Sequence, residues 1–123
     1  PGARFGDIGG AISEIARLNR YSVVDDFCGH GLGRLFHDEP NVVHSAKAGT
    51  GPELKPGMFF TIEPMLNLGR RDAAILPDGW TAVTRDRQLS AQFEHSVGVT
   101  ETGVEIFSAS PKGWHEPHKV KLG

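Results

Sequence analysis

This 123-residue sequence is poor in three features that would each point to a class of function. It has one cysteine, so no disulfide can form within the chain, which fits a reducing compartment. No apolar run approaches the roughly 20 residues that a transmembrane helix needs, and no signal peptide is visible. It also lacks any Lys/Arg block: 13 basic and 15 acidic residues give a net charge of -2, which argues against a nucleic-acid-binding surface.

Glycine, by contrast, is abundant at 16 residues, and with 8 prolines it separates the apolar runs as tight turns separate strands. An amphipathic helix is predicted over residues 7–20, capped by Asp7, and its packed face carries Ile8, Ala11, Ile12, Ile15 and Leu18. Strands are predicted over residues 21–25, 58–63, 80–84, 91–100 and 104–107, the last two forming a hairpin. This order predicts an α+β domain whose antiparallel sheet has one main covering helix.

Residues 28–57 are predicted to be mostly irregular, and so long a stretch inside a compact domain indicates function. Within it, Gly29 and Gly31 flank His30, so the backbone can approach another group closely and the ring is unobstructed. A water-exposed turn histidine is the alternative. The Lys-Ser/Thr pair of a phosphate-binding loop is absent, which excludes nucleotide binding there.

Glu63 and Glu94 are acidic residues inside predicted apolar strands. Alternation places Glu63 on the face of Thr61, and Glu94 on the face of Gln92. A solvated sheet face or pairing with arginine would explain an isolated glutamate in a strand. Two such strands beside a histidine-containing glycine loop favour a different arrangement, because converging carboxylates repel unless a cation lies between them.

The other chemically active residues are weaker candidates. His37 could donate a hydrogen bond to a substrate carbonyl or oxyanion, or only to its local turn. Cys28 is rejected as a nucleophile because adjacent thiol and imidazole groups rarely align and no third group orients them. His95 points away from Glu94, which favours packing over ligation. The remaining histidines carry no such signal: His44, His115 and His118.

Four segments together resemble methionine aminopeptidases of type I, in the pita-bread metallopeptidase superfamily: CGHGLGRLFHDEP (28–40), LKPGMFFTIEPM (54–65), DGWTAVT (78–84) and SAQFEHSV (90–97). Prolidases and aminopeptidase P usually have Pro-Gly after the first glutamate, whereas Pro64-Met65 follows Glu63 here. Type II enzymes usually have serine after the loop histidine, whereas Gly31 follows His30 here.

The resemblance implies the residue roles. His30, Glu63 and Glu94 would be metal ligands for two divalent ions (Co, Mn, Fe or Zn), and Glu63 would also be the general base. His37 would polarise the substrate carbonyl, while Phe36 and Trp80 would line the methionine pocket. Gln92 would lie beside the site, and the Ser90 carbonyl would contribute to a monovalent-cation site.

The resemblance also implies a division of the chain, with residues 1–110 as the C-terminal half of a methionine aminopeptidase catalytic domain and residues 111–123 as a tail. Two aspartate ligands and one histidine of the family have no counterpart, so we expect an inactive fragment of a cytoplasmic or organellar enzyme. The intact enzyme is expected to be a monomer acting on N-terminal Met peptides of nascent proteins, with the ribosome as a candidate partner and neither nucleic acid nor membrane bound.

Two other functions compete with this interpretation. One is a catalytically dead pita-bread module that binds peptides or a partner protein. The other is a structural sheet whose glutamates and histidine are incidental. Retention of all three ligands expected in this half counts against the binding module.

Overall fold

The computed structural model describes residues 1–114, which form one helix and ten short strands. These are α1 (Phe5–Leu18), β1 (Ser22–Val23), β2 (Gly29–Gly31), β3 (Asp38–Val42), β4 (Phe59–Ile62), β5 (Met65–Asn67), β6 (Ala73–Ile75), β7 (Ala82–Thr84), β8 (Ser90–Gln92), β9 (His95–Val99) and β10 (Val104–Ile106). All pairings are antiparallel, which confirms the α+β class. His115, His118 and residues 115–123 of the predicted tail lie outside the described residues.

The strands form three sheets. The five-stranded sheet has the order β10-β9-β4-β2-β3, the three-stranded sheet has the order β1-β5-β8, and β6 pairs with β7. A hydrophobic core forms where α1 meets the five-stranded sheet, and its buried members are Phe5, Val42, Phe60, Val97 and Val99. The rings of Phe5 and Phe60 lie 4.9 Å apart, a distance typical of a packed aromatic pair. No helix of this part of the chain has the length and apolarity to cross a bilayer.

The helix begins and ends two residues earlier than predicted, and Asp7 is not its N-cap. Arg4 occupies that position, and the Asp7 carboxylate accepts hydrogen bonds from the main-chain N–H groups of Arg4 (2.7 Å) and Gly49 (2.7 Å). These bonds lower the pKa of Asp7. The carboxylate thus satisfies the main-chain N–H of the N-cap residue, and it does so from the third position inside the helix.

The packed face of α1 was predicted only in part, since Ile8 of the predicted stripe packs against the core. Ile15 and Leu18 of the predicted stripe are 59% and 65% exposed, while the helix buries Phe5, Gly6, Gly9 and Ala16. A Cβ at Gly9 would lie 2.6 Å from the carbonyl oxygen of Val43 and from the nitrogen of Ala46. Small residues therefore face the core side because residues 43–50 lie directly against the helix.

Residues 28–57 are more regular than predicted, because they contain β2 and β3. His30 thus lies in the centre of a buried three-residue strand, where a turn was expected. The predicted need for glycine is confirmed: a Cβ at Gly29 would collide with the Thr61 carbonyl, and one at Gly31 with the Glu39 carbonyl. The glycines allow β2 to fit between β3 and β4.

The long strand predicted over residues 91–100 is divided into β8 and β9, which belong to different sheets. The break falls at residues 93–94, opposite a break at residues 63–64 between β4 and β5. The register is the same on both sides, since Ile62 faces His95 and Met65 faces Gln92. Pro64 has no N–H to donate, so a break in the ladder at this point has a local cause. The hairpin of β9 and β10 is confirmed.

The three-stranded sheet has an open apolar face. A cleft of about 460 Å³ lies over it, lined by Tyr21, Pro64, Leu66, Leu68, Leu89, Ser90, Ala91 and Phe93. Leu89 and Phe93 are more than 70% exposed. Residues 1–114 thus leave this face of the three-stranded sheet uncovered.

Candidate metal centre

His30 is buried in β2, and its hydrogen bonds define the state of its ring. Its main-chain N–H donates to Oγ1 of Thr61 (3.0 Å), and ring Nδ1 lies 3.0 Å from the carbonyl oxygen of Gly31. Because a carbonyl oxygen can only accept, Nδ1 carries a proton. In the neutral ring, Nε2 then keeps its lone pair, which is the arrangement of a metal-binding histidine.

Glu63 and Glu94 lie in the two opposed breaks between the sheets, and neither is inside a strand as the sequence predicted. The common register of the flanking strands places Glu63 directly across from Glu94, and Pro64 across from Phe93. Residues that face each other on neighbouring strands project from the same side of a sheet. The fold therefore brings both carboxylates to one side, as predicted, at the junction of two sheets.

The three predicted ligands converge. One ligand atom from each of His30, Glu63 and Glu94 can be chosen so that all lie within 4.8 Å of one another. His30 Nε2 lies 3.5 Å from Glu63 Oε1. Among residues 1–114, no Lys or Arg forms an ion pair with either carboxylate.

This donor set fits a divalent cation. Two carboxylates that face each other repel, and like charges opposite one another destabilise a sheet. A proton on Nε2 of His30 would neutralise one of these charges and leave the other unpaired. A divalent cation between the three groups neutralises both carboxylates and uses the Nε2 lone pair.

Thr61 and Gln92 hold Glu63 from two sides. The buried hydroxyl of Thr61 lies 2.7 Å from Glu63 Oε1 and 3.5 Å from the His30 carbonyl oxygen, so its single proton is best donated to the charged, nearer acceptor. Gln92 Nε2 donates to the main-chain carbonyl of Glu63 (3.1 Å). The same Thr61 oxygen accepts from His30, and it therefore links two of the three ligands.

His37 and Phe36 lie next to His30. The centroids of the His30 and His37 rings are 4.4 Å apart in an edge-on arrangement, and the Phe36 ring is 5.5 Å from that of His30. Both His37 and Phe36 are exposed, so they line the open side of the centre. This position is one from which side chains can reach a bound molecule.

The other predicted site residues lie further along the chain. Trp80 follows a turn held by the Asp78 carboxylate, and it is 88% exposed, so little of residues 1–114 packs against it. Ser90 begins β8 and lines the apolar cleft. His95 Nδ1 lies 3.0 Å from Oγ of Ser108, and His95 is not among the three converging ligands.

Cys28 is poorly suited to nucleophilic chemistry. Burial raises the pKa of its thiol, and the negative charge of Glu63 adds to the rise. The reactive species is the thiolate, so a thiol that stays protonated at neutral pH is a weak nucleophile. This environment is consistent with the sequence-based prediction that Cys28 is not a nucleophile.

His44 was not singled out from the sequence, yet it contacts a ligand residue. It is 2% exposed, and its Nε2 accepts a hydrogen bond from the main-chain N–H of Glu63 (3.1 Å). Burial lowers the pKa of His44, and the carboxylate of Glu63 opposes that shift. No local pattern could have revealed this contact, because the partner is a backbone group 19 residues away. Thr61 could have been found, since alternation places it on the face of Glu63.

Comparison with known proteins yields a consistent set of relatives. A model of metallopeptidase family M24 matches residues 1–101. The methionine aminopeptidase of Rickettsia prowazekii is 57% identical over 113 residues, which cover 91% of this chain and 44% of that protein. Methionine aminopeptidase A of Synechocystis is 56% identical over 108 residues, covering 88% of this chain and 43% of that protein.

A solved structure agrees with these similarities. The crystal structure of a methionine aminopeptidase from Thermotoga maritima matches with a TM-score of 0.84 at 42% identity, covering 86% of this chain and 43% of that one. The chain therefore spans less than half the length of the relatives it matches.

Proposed function

The chain belongs to metallopeptidase family M24, and from this premise we propose that it carries part of the metal centre of an aminopeptidase that removes N-terminal methionine. Membership in a metallopeptidase family implies divalent metal ions. The observation that carries the proposal is the convergence of His30, Glu63 and Glu94 within 4.8 Å at the junction of two sheets. The relatives named methionine aminopeptidase supply the substrate class.

The proposed ligands are the Nε2 atom of His30 and the carboxylates of Glu63 and Glu94. One imidazole with two carboxylates is a fairly hard donor set that suits Co, Mn, Fe or Zn. A bound divalent ion supplies Lewis-acid chemistry, lowering the pKa of water and polarising a carbonyl. Three ligand residues are few for two such ions, so we expect these 123 residues alone to bind metal weakly and to lack aminopeptidase activity.

The chain's own residues would divide the remaining work. Glu63, as general base, would take a proton from the attacking water and return it to the leaving amine. His37 would donate a hydrogen bond to the oxygen of the scissile carbonyl as charge develops there. Its position against the His30 ring, on the open side of the centre, supports this role.

Further roles concern substrate binding. Phe36 would contact the methionine side chain, since an aromatic ring suits an apolar thioether. We also propose that Trp80 and Gln92 contact the substrate, and that the Ser90 carbonyl contributes to a monovalent-cation site. The support for these roles is the family resemblance, together with the contact of Gln92 with Glu63. Nascent proteins, and the ribosome that presents them, are the proposed partners in the cytoplasm or an organelle.

Metal binding by the chain is the direct test of the ligand assignment. Titration with Co²⁺, followed by visible absorption, should give a weak but saturable spectrum that Glu94→Gln removes. Glu105→Gln is the matched control, because Glu105 is an exposed glutamate on edge strand β10 of the same sheet as His30. Identical Co²⁺ spectra for the two variants would contradict the assignment.

The reaction itself is tested with the complete product of the gene that encodes this chain. We expect metal-dependent release of methionine from Met-Ala-Ser and little turnover of Leu-Ala-Ser. A protein that binds Met-Ala-Ser but does not cleave it in the presence of added metal would instead be a binding module on the same fold.

A further inference from the structure

His44 lies just beyond the end of β3 and is nearly inaccessible to solvent, although it is not one of the three ligands. Its ring Nε2 accepts the hydrogen bond donated by the main-chain N–H of Glu63, at 3.1 Å. Because the amide is the donor, Nε2 must carry a lone pair, and a ring protonated on both nitrogens could not make this bond. His44 is therefore a hydrogen-bond acceptor aimed at the backbone of a ligand.

The Glu63 N–H needs such an acceptor because of where it lies. β4 ends at Ile62 and β5 begins at Met65, so Glu63 falls in the gap between two ladders. Backbone donors in strands are normally satisfied by the neighbouring strand, and one left without a partner in a partly buried site is costly. In this gap a side chain takes the role of the missing ladder partner.

The segment that carries His44 is fixed by the helix. Oγ of Ser13 in α1 lies 3.5 Å from the main-chain carbonyl oxygen of His44. Gly9 allows the same segment to approach closely, since a Cβ there would lie 2.6 Å from the Val43 carbonyl oxygen. The acceptor thus lies in a turn that packs against α1, outside the strands of both sheets.

Three contacts then define the position of Glu63. His44 binds its N–H, Gln92 binds its carbonyl, and Thr61 binds its carboxylate. Thr61 can direct the carboxylate only if the Glu63 backbone stays where its hydroxyl can reach, because the side chain has rotatable bonds between them. The hydrogen bond to His44 fixes the backbone from which the Glu63 side chain extends.

We propose that His44 is a positioning residue, which holds the backbone of Glu63 at the sheet junction so that its carboxylate faces Nε2 of His30. The inference deepens the proposed function and rests on it in one respect: the direction of the Glu63 carboxylate matters because this carboxylate would bind metal. The requirement is an acceptor at the place of Nε2, in addition to a side chain of suitable volume.

His44→Gln and His44→Met are the matched variants that separate these two requirements. Glutamine and methionine have similar length and flexibility, but only glutamine can place an acceptor oxygen near the position of Nε2. If His44 merely fills space, both variants behave alike. If it positions Glu63, His44→Gln rescues the wild-type behaviour and His44→Met does not.

The first measurement needs no metal. Amide hydrogen exchange and the ¹H–¹⁵N resonance of Glu63 are recorded by NMR on the 123-residue chain and both variants. We expect His44→Met to speed exchange at Glu63 by about tenfold or more, the factor for one lost hydrogen bond to a buried donor. Unchanged exchange at Glu63 in His44→Met, or equal acceleration in both variants, overturns the proposal. Exchange at Val97 in β9 shows whether each variant is folded.

The second measurement is Co²⁺ affinity, because a displaced Glu63 should bind metal less well. We expect about a 10–100-fold weaker affinity in His44→Met, and near wild-type affinity in His44→Gln. Equal affinities in both variants overturn the claim that the anchored direction of Glu63 matters for ligation. A wild-type chain with no saturable Co²⁺ binding defeats the proposed function instead, and the exchange data then still decide whether His44 holds Glu63.

Discussion

The two larger sheets of this molecule are stabilised in different ways. The five-stranded sheet packs on α1 and buries Val42, Phe60, Val97 and Val99. The three-stranded sheet buries Asn67 completely, yet Leu68, Leu89 and Phe93 of its cleft are exposed to solvent. The chain passes from one sheet to the other at the two opposed breaks, residues 63–64 and 93–94. The hydrophobic core therefore lies on the side of the five-stranded sheet, while the three-stranded sheet reaches the candidate centre through a hydrogen bond from Gln92 to Glu63.

Polar contacts replace a hydrophobic core around the three-stranded sheet and the β6–β7 hairpin. Carboxylates of Asp26, Asp78 and Asp86 accept hydrogen bonds from main-chain N–H groups of nearby loops. Asp25 forms an ion pair with Arg71 at 2.6 Å. Such exposed interactions stabilise a fold far less than a buried core does. The contrast can be tested in three ways.

The largest effect is expected from removing core volume beneath the five-stranded sheet. Phe60→Ala should lower the free energy of unfolding by about 3–5 kcal/mol, because the ring is 2% exposed and its loss leaves a cavity. Leu89→Ala, at a side chain 74% exposed in the cleft, should change it by less than about 1 kcal/mol. Urea denaturation of both variants measures the difference, and equal losses of unfolding free energy would mean that the two sheets are not stabilised differently.

A smaller effect is expected from adding one methyl group to β2. Gly31→Ala should destabilise by about 1–3 kcal/mol, because the new Cβ meets the Glu39 carbonyl and the backbone must shift. Gly103→Ala is the control, since nothing lies within 4 Å of a Cβ there and its φ is not left-handed. Thermal unfolding compares the two. A neutral Gly31→Ala would mean that β2 is not tightly held between its neighbours.

The smallest effect is expected from acid. The hydrogen bond from Arg71 lowers the pKa of Asp25 below the ordinary 3.8. The hydroxyl of Thr81, followed by the N–H groups of the turn, lowers the pKa of Asp78 in the same direction. As pH falls, the unfolded chain therefore binds protons at these groups before the folded chain does. The stabilisation by the two carboxylates is complete above about pH 3.8, and it is lost as pH falls through their lower pKa values in the folded chain.

Amide resonances followed by NMR from pH 6 to pH 2 should therefore change in the β6–β7 hairpin before they change in β9. The Asp25–Arg71 pair should contribute little to the free energy of unfolding, since both side chains are substantially exposed. Asp78→Asn should remove the acid-induced change in its own turn. Simultaneous change in both regions would mean that they unfold as one unit.

Much of the fold follows from local patterns, and the errors have non-local causes. Strand β4, which ends just before Glu63, and the β9–β10 hairpin were predicted because alternation and turn residues lie within a few positions. The break at residues 93–94 was missed because its partner, Pro64, lies across the sheet. The face of α1 was right at Ile8 and wrong at Ile15 and Leu18, because the small residues Gly9 and Ala16 are buried there and apolar periodicity gives such residues little weight.

The site was more predictable than the sheet that carries it. His30, Glu63 and Glu94 were identified as residues whose chemistry conflicts with their surroundings, and that conflict is visible in a single sequence. His44 was missed because its role is to accept from a backbone amide, and any acceptor of suitable reach would leave the same pattern. Candidate ligands can be recognised by residue type, whereas the residues that support them depend on the folded path of the chain.

The two opposed breaks, which hold Glu63 and Glu94, have a consequence for the behaviour of the chain in solution. An ion held by both Glu63 and Glu94 would act as a removable cross-link that closes the loop between these positions. A permanent tie across a loop of this length restricts the unfolded chain by about 3–4 kcal/mol, and a reversible one contributes according to its occupancy. The melting temperature of this chain should therefore rise with metal concentration and return to its starting value when a chelator is added.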